Sequence, residues 1–251
     1  MKRKEICLSV LSLLLVAFLL ISCNREKEMK EQTNIQLAKF FVSEETTDTV
    51  HYWFYLPEKY YNNEETPLLL FLHGAGERGD SLGLVKKHGP PKILENKNMP
   101  FIVVSPQCPK GEWWNVELLN GLVEKIIAGY NVDKQKVYLT GLSMGGYGTW
   151  ALSIAYPEKF AAIAPICGGG DTTKVHKIKD IPTWVFHGAK DNVVPYERSI
   201  KMIEALKKAG GEVKFTLYPD AKHDSWTKTY DNPELYEWFL SNVNKRIVND
   251  D

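Results

Sequence analysis

The chain has 251 residues, with 31 Lys+Arg balanced by 31 Asp+Glu, 44% hydrophobic residues and 12% aromatic residues. Apolar content on that scale supplies a buried core and excludes a wholly disordered chain. Neutral charge with no long basic run excludes a nucleic-acid partner held by phosphate contacts, and no low-complexity tract or solenoid-type repeat appears.

The first residues read as an export signal. Lys2, Arg3 and Lys4 precede an apolar run from Ile6 to Ile21. The run falls short of the roughly 20 apolar residues that span a bilayer, and its basic flank suits a secretory signal over 1–22. Leu20-Ile21-Ser22-Cys23 resembles the lipobox of bacterial lipoproteins, which implies lipidation at Cys23. The expectation is an exported protein that meets a membrane through that lipid anchor only. Residues 23–36 are polar and charged and read as a flexible spacer, leaving 37–251 as the folded domain. Only Cys108 and Cys167 then remain inside the fold, expected as free, partly buried thiols. No Cys or His cluster has metal-ligand spacing, and no metal or organic cofactor is implied.

The domain opens with two extended segments, Phe40–Val42 and Val50–Leu56, rich in aromatic and β-branched residues and split by a turn-like Glu44–Asp48. From Leu68 the pattern becomes short apolar runs alternating with helical stretches. The runs are Leu68–Leu72, Phe101–Ser105, Val137–Thr140, Ala161–Ile166, Thr183–Phe186 and Val213–Tyr218. Apolar runs without polar alternation suit strands buried on both faces. Helices are predicted over Val116–Ala128, Gly145–Tyr156, Tyr196–Ala209 and Pro233–Asn244; Pro195 before the third and Gly210-Gly211 after it fit the asymmetry of helix ends. The sum is one α/β domain with a mostly parallel, doubly wound sheet opened by an antiparallel hairpin.

Gly141-Leu142-Ser143-Met144-Gly145 stands between a predicted strand and a predicted helix. Gly-x-Ser-x-Gly in that context is a nucleophile elbow, where two residues without Cβ let the backbone turn sharply and present the Ser Oγ. A hydroxyl needs a base to accept its proton, and the base needs an acid to orient it. Asp191 and His223 follow the next predicted strands in the Ser–Asp–His order. Asp220 and Asp224 are the alternative acids. Among the other histidines, His187 reads as a packed or turn-capping imidazole, His51 and His176 as exposed or structural, and His88 as structural. The segment His73-Gly74-Ala75-Gly76-Glu77-Arg78-Gly79 after Leu72 offers the oxyanion hole: the Ala75 N–H (with Gly76 as alternative) paired with that of Met144. Glu77 and Arg78 read as an ion pair holding that loop.

These two segments, with His187-Gly188-Ala189-Lys190-Asp191 and His223-Asp224-Ser225-Trp226, resemble the α/β-hydrolase superfamily. Within it the likeness is to small carboxylesterases of the phospholipase/carboxylesterase or predicted-peptidase subgroup, related to feruloyl and polyhydroxybutyrate-depolymerase-type esterases. The resemblance implies a serine hydrolase with catalytic Ser143, Asp191 and His223. Only Cys167 to Asp180 separates two strands where relatives of that fold carry a lid, so no cap domain and an open site are expected. Trp113, Trp114 and Trp226 fall on the active edge as candidate substrate contacts, with core anchoring as the alternative. The leading expectation is a secreted carboxylesterase acting on a small-molecule or oligosaccharide ester, such as acetyl or feruloyl groups on plant polysaccharide fragments. A serine peptidase on the same triad and a non-catalytic glycan-binding lipoprotein are the alternatives.

Overall fold

The computed structural model describes residues 30–62 and 64–247, so the signal over 1–22 and the lipidation position Cys23 lie outside the described residues. From Thr33 onward the chain forms a single compact unit. Its frame is an eight-stranded sheet in the order β1-β2-β4-β3-β5-β6-β7-β8. The strands are β1 (Gln36–Val42), β2 (Thr49–Tyr55), β3 (Thr66–Leu72), β4 (Ile102–Pro106), β5 (Val132–Leu142), β6 (Ala162–Ile166), β7 (Thr183–Gly188) and β8 (Val213–Tyr218).

The β1–β2 and β2–β4 pairings are antiparallel; every pairing from β4 through β3 to β8 is parallel. The opening hairpin therefore joins the sheet beside β4, and the rest is doubly wound, as the alternation of strands and helices requires. The first strand begins at Gln36, one residue inside the segment read as spacer, and β5 starts five residues before the expected Val137.

Both faces of the sheet are covered, and the sequence carries the reason. In β3, Leu68, Leu70 and Leu72 join one core while Leu69 and Phe71 join the other. Side chains alternate along a strand, so an unbroken apolar run supplies both layers. One layer is closed by α2 (Val116–Gly129), α3 (Met144–Ala155) and α4 (Glu197–Lys208), through Leu122, Trp150 and Met202 among others. The other is closed by α5 (Trp226–Asp231) and α6 (Pro233–Ser241), through Tyr230, Leu235 and Phe239. A five-residue helix, α1 (Gly89–Ile93), packs beside α5.

The segment between β6 and β7 holds one 3-10 turn, Val175–Ile178, and no cap domain occurs among the described residues. Cys108 and Cys167 are free, and both are fully buried instead of partly so.

Candidate active site at the carboxyl edge of the sheet

Ser143 stands between the end of β5 and the start of α3 with φ +53° and ψ −117°. That left-handed backbone is costly for a residue with a Cβ. The surrounding packing enforces it. A Cβ on Gly145 would lie 1.9 Å from the Leu72 carbonyl oxygen, and one on Gly141 would lie 2.3 Å from that of Gly145. Helix α3 is thus pressed directly on β3, and only glycine permits the approach. The Ser143 N–H is held by Ile166 O at 2.9 Å, and the Tyr147 N–H donates back to Ser143 O at 3.1 Å.

The structure brings the predicted acid and base to this serine. His223 Nε2 lies 3.0 Å from Ser143 Oγ, and His223 Nδ1 lies 2.7 Å from Asp191 Oδ2. Asp191 Oδ1 accepts the N–H groups of Val193 and Val194, both at 2.9 Å. Burial pushes this carboxyl upward, but the bonds from His223, Val194 and Val193 outweigh it and hold the group below its ordinary value. Asp220 instead pairs with Lys190 at 2.8 Å on the surface, and Asp224 is exposed.

His187 proves closer to the chemistry than its sequence position suggests. It is fully buried, and its Nε2 lies 2.9 Å from Val194 O and 3.2 Å from Asp191 Oδ2. Two acceptors facing one nitrogen require a proton there, so Nε2 donates. Its Nδ1 sits 2.8 Å from Ser199 Oγ on α4. Burial lowers the His187 pKa, with Val194 O and Asp191 pulling it back in part. The imidazole caps the turn after β7, as expected, and also steadies the oxygen of Asp191 that meets His223. Spacing alone gives no sign of this second contact.

Cys167 closes the back of the site. Its Sγ lies 2.9 Å from Ser225 Oγ, and burial pushes the thiol up to about 12. Ligand atoms of Cys167, Asp191 and His223 fall within 4.8 Å of one another. Asp191 and His223 already bond to each other, and the thiol keeps its proton, so the cluster is explained without an ion.

On the other side of Ser143 lies the turn after β3. Ala75 is the first residue of a 3-10 turn (Ala75–Glu77), and Met144 is the first residue of α3. N–H groups at these positions have no partner within their own helix. A Cβ on Gly74 would lie 3.5 Å from that of Ser143, so the two turns abut.

The loop is fixed from three directions. His73 Nε2 accepts the Cys108 N–H at 3.0 Å while Nδ1 donates to Gly74 O at 2.6 Å. This assigns the tautomer, and burial lowers the His73 pKa to about 4, keeping the ring neutral. Gln107 Nε2 donates to Glu77 O and Ser81 O at 3.1 and 2.7 Å. Glu77 Oε2 accepts the Gly74 N–H at 3.1 Å. The expected Glu77–Arg78 ion pair is absent among the described residues. Arg78 instead donates to the carbonyls of Ala75 and Glu112 at 3.1 and 3.0 Å, because a carboxylate turned inward to cap the loop cannot also meet a guanidinium in solvent.

The three tryptophans divide. Trp113 is 63% exposed and stands edge-on to Tyr147, ring centres 6.1 Å apart. Trp114 is half-buried: its Nε1 donates to His73 O at 3.3 Å and its ring meets His73 edge-on at 4.8 Å, so it anchors the loop behind the site. Trp226 stands edge-on to the His223 ring at 5.0 Å and also meets His88 at 5.5 Å. It packs against the core beside His223, and His88 Nε2 lies 3.8 Å from Glu77 Oε1.

The Dienelactone hydrolase family model matches residues 113–239, half of the chain, and that span contains Ser143, Asp191 and His223. An esterase family model matches residues 43–173, including the Ala75 loop and the elbow. The chain belongs to the dienelactone hydrolase family, among the α/β-hydrolase esterases. A bifunctional acetylxylan esterase/xylanase from Neocallimastix patriciarum is 27% identical over 182 residues, covering 69% of this hydrolase and 26% of that protein. An endo-1,4-beta-xylanase/feruloyl esterase from Xylanibacter ruminicola is 29% identical over 218 residues, covering 77% of this hydrolase and 30% of that protein. The hydrolase therefore spans less than a third of either relative. Among solved structures, a thermostable esterase superposes with a TM-score of 0.73 at 37% identity, over 83% of this chain and 63% of that one. A ferulic acid esterase shares the fold at 17% identity, with a TM-score of 0.64.

Proposed function

We propose that this hydrolase is an exported serine carboxylesterase whose nucleophile is Ser143. The observation that carries the reading is the continuous set of contacts from Asp191 Oδ2 through His223 to Ser143 Oγ, at 2.7 and 3.0 Å, on a strained elbow. Ser143 Oγ attacks the ester carbonyl carbon as its proton passes to His223 Nε2. Asp191 holds the resulting imidazolium through Nδ1. The tetrahedral oxyanion is received by the N–H groups of Ala75 and Met144, where one such donor is worth about 10²–10³ in kcat. Collapse expels the alcohol, which takes the proton from His223. Water, deprotonated by the same imidazole, then releases the acid and restores Ser143. The balance is ester plus water to acid plus alcohol, with no cofactor called on.

The substrate class we favour is an acyl ester attached to a polysaccharide fragment, such as an acetyl or feruloyl group. Support comes from the uncapped site, from the exposed Trp113 beside it, and from the names of the two xylan-acting relatives. Lipidation at Cys23 would place the enzyme on a membrane of the exporting cell, near such fragments. A peptidase on the same three residues is the second reading; it predicts amide turnover.

The test is a panel: p-nitrophenyl acetate and butyrate, methyl ferulate, acetylated xylan and a peptide anilide, each with the native chain and with Ser143→Ala. Ester turnover lost in Ser143→Ala is the expected result. Turnover of the anilide alone would transfer the site to the peptidase reading, and a folded chain inactive on every member would overturn the mechanism.

A further inference from the structure

A groove of about 500 Å³ begins one helical turn from the nucleophile and runs away from it along α3. That volume lies within the range of small-molecule sites, about 300–1,000 Å³. Its floor is the outer stripe of α3: Tyr147, Ala151 and Ala155 recur at helical spacing. The alanines leave the floor low enough to admit a ligand. One wall is the aromatic corner of Trp113 and Tyr147, whose rings meet at 87°. The segment after β6, Gly169 to Lys177, completes the lining: Gly169 lies against the Tyr147 ring, and Lys174 and Lys177 line the same groove.

The charges on that segment do not cancel. The Asp171 carboxylate is turned back on its own loop, accepting the Thr173 N–H and hydroxyl at 2.9 and 2.6 Å, and it faces Lys174 Nζ at 3.5 Å. Lys177 has no carboxylate within ion-pair distance among the described residues. The groove therefore offers apolar ring faces together with an uncompensated ammonium. An exposed aromatic platform matches the apolar face of a sugar ring, while a free cation matches a carboxylate.

We propose that this groove binds an acidic oligosaccharide, a short run of sugar rings bearing a uronate carboxylate, with the rings on Trp113 and Tyr147 and the carboxylate at Lys177. The proposal rests on the reading of Ser143 as the nucleophile only for orientation: the groove would hold the part of the ester remote from the bond being cut. It narrows the substrate from polysaccharide esters in general to those on an acidic chain.

The experiment measures binding without turnover. Ser143→Ala is titrated calorimetrically with a xylotriose carrying one glucuronate branch and, separately, with neutral xylotetraose. The acidic sugar is expected to bind about three- to tenfold tighter, the range of one exposed ion pair with good geometry. Adding Lys177→Gln should equalise the two affinities. Adding Trp113→Ala should weaken both sugars alike, by about fivefold. At about 1 M salt, where screening acts within about 3 Å, the acidic preference should shrink toward unity. Equal binding of the two sugars, binding of neither, or a preference that survives Lys177→Gln would overturn the proposal. Because no step needs hydrolysis, an inactive native chain that still prefers the acidic sugar would sink the esterase reading and leave the groove assignment standing.

Discussion

The network behind Ser143 and the groove beside it are built on opposite principles. Behind the serine, Asp191 is buried and accepts four donors: His223, His187 and the N–H groups of Val193 and Val194. In the groove, Trp113 is 63% exposed and meets Tyr147, and small residues and surface lysines line much of the rest. Proton transfer needs groups fixed to within a few tenths of an ångström, so the network is over-determined. The open groove offers the contact area and access that the proposed polymer-attached ligand would need. Two adjacent tryptophans mark the boundary: Trp114 is tied to His73, while Trp113 faces solvent.

The contrast is broken most severely at Ser143, the proposed nucleophile. Ser143→Ala should lower kcat for p-nitrophenyl acetate by about 10⁶, and Asp191→Asn, which keeps the shape but reverses the imidazole tautomer, by about 10⁴. Both should melt within a few degrees of the native chain in a circular-dichroism scan.

His187 gives a finer cut. The titratable groups facing Asp191 are His223 from the turn after β8, His187 from β7 and the protonated Cys167 from the end of β6. His187→Leu should lower kcat by about tenfold with KM little changed. His187→Gln, which retains an N–H donor, should recover much of that rate. A loss of stability with kcat unchanged would reduce His187 to packing alone.

The two tryptophans sharpen the comparison through stability. Trp114→Ala should cost about 2–3 kcal/mol in urea unfolding, because it empties the space behind the His73 loop. Trp113→Ala should stay within about 0.5 kcal/mol and act instead on KM for oligosaccharide esters.

Stability also depends on pH through His73. Burial depresses the His73 pKa from 6.5 to about 4, so between these values the unfolded chain binds a proton that the folded one refuses. That contribution to stability is fully present above 6.5, falls as pH drops toward 4, and is flat below. His73→Gln should remove this slope from a melting-temperature series.

Much of this was legible in the sequence, for reasons that can be named. The runs Leu68–Leu72 and Ala161–Ile166 are apolar without alternation because both of their faces are buried, and that pattern survives without a structure. The elbow was legible because Gly141 and Gly145 are sterically obligatory, and Asp191 and His223 because each follows a strand that ends on the same edge. Helix α1 was missed: Gly89-Pro90-Pro91 carries turn residues and only five positions, too few for a helical period. Helix α5 was hidden because its residues follow His223 directly, and its buried Thr229 and Tyr230 show no apolar stripe. Glu77 was read as the partner of its neighbour Arg78, yet its carboxylate turns three residues back to the Gly74 N–H. The difference between Trp113 and Trp114 is likewise absent from the letters, since opposite sides of one loop are set by what lies behind it.

Covalent labelling shows whether Ser143 is the activated nucleophile proposed above. The native chain would be incubated with diethyl p-nitrophenyl phosphate, digested, and mapped by tandem mass spectrometry. One diethylphosphoryl group per chain is expected, on Ser143, formed far more slowly in Asp191→Asn. Ester hydrolysis that continues with Ser143 unlabelled, or a label on another residue, would contradict it.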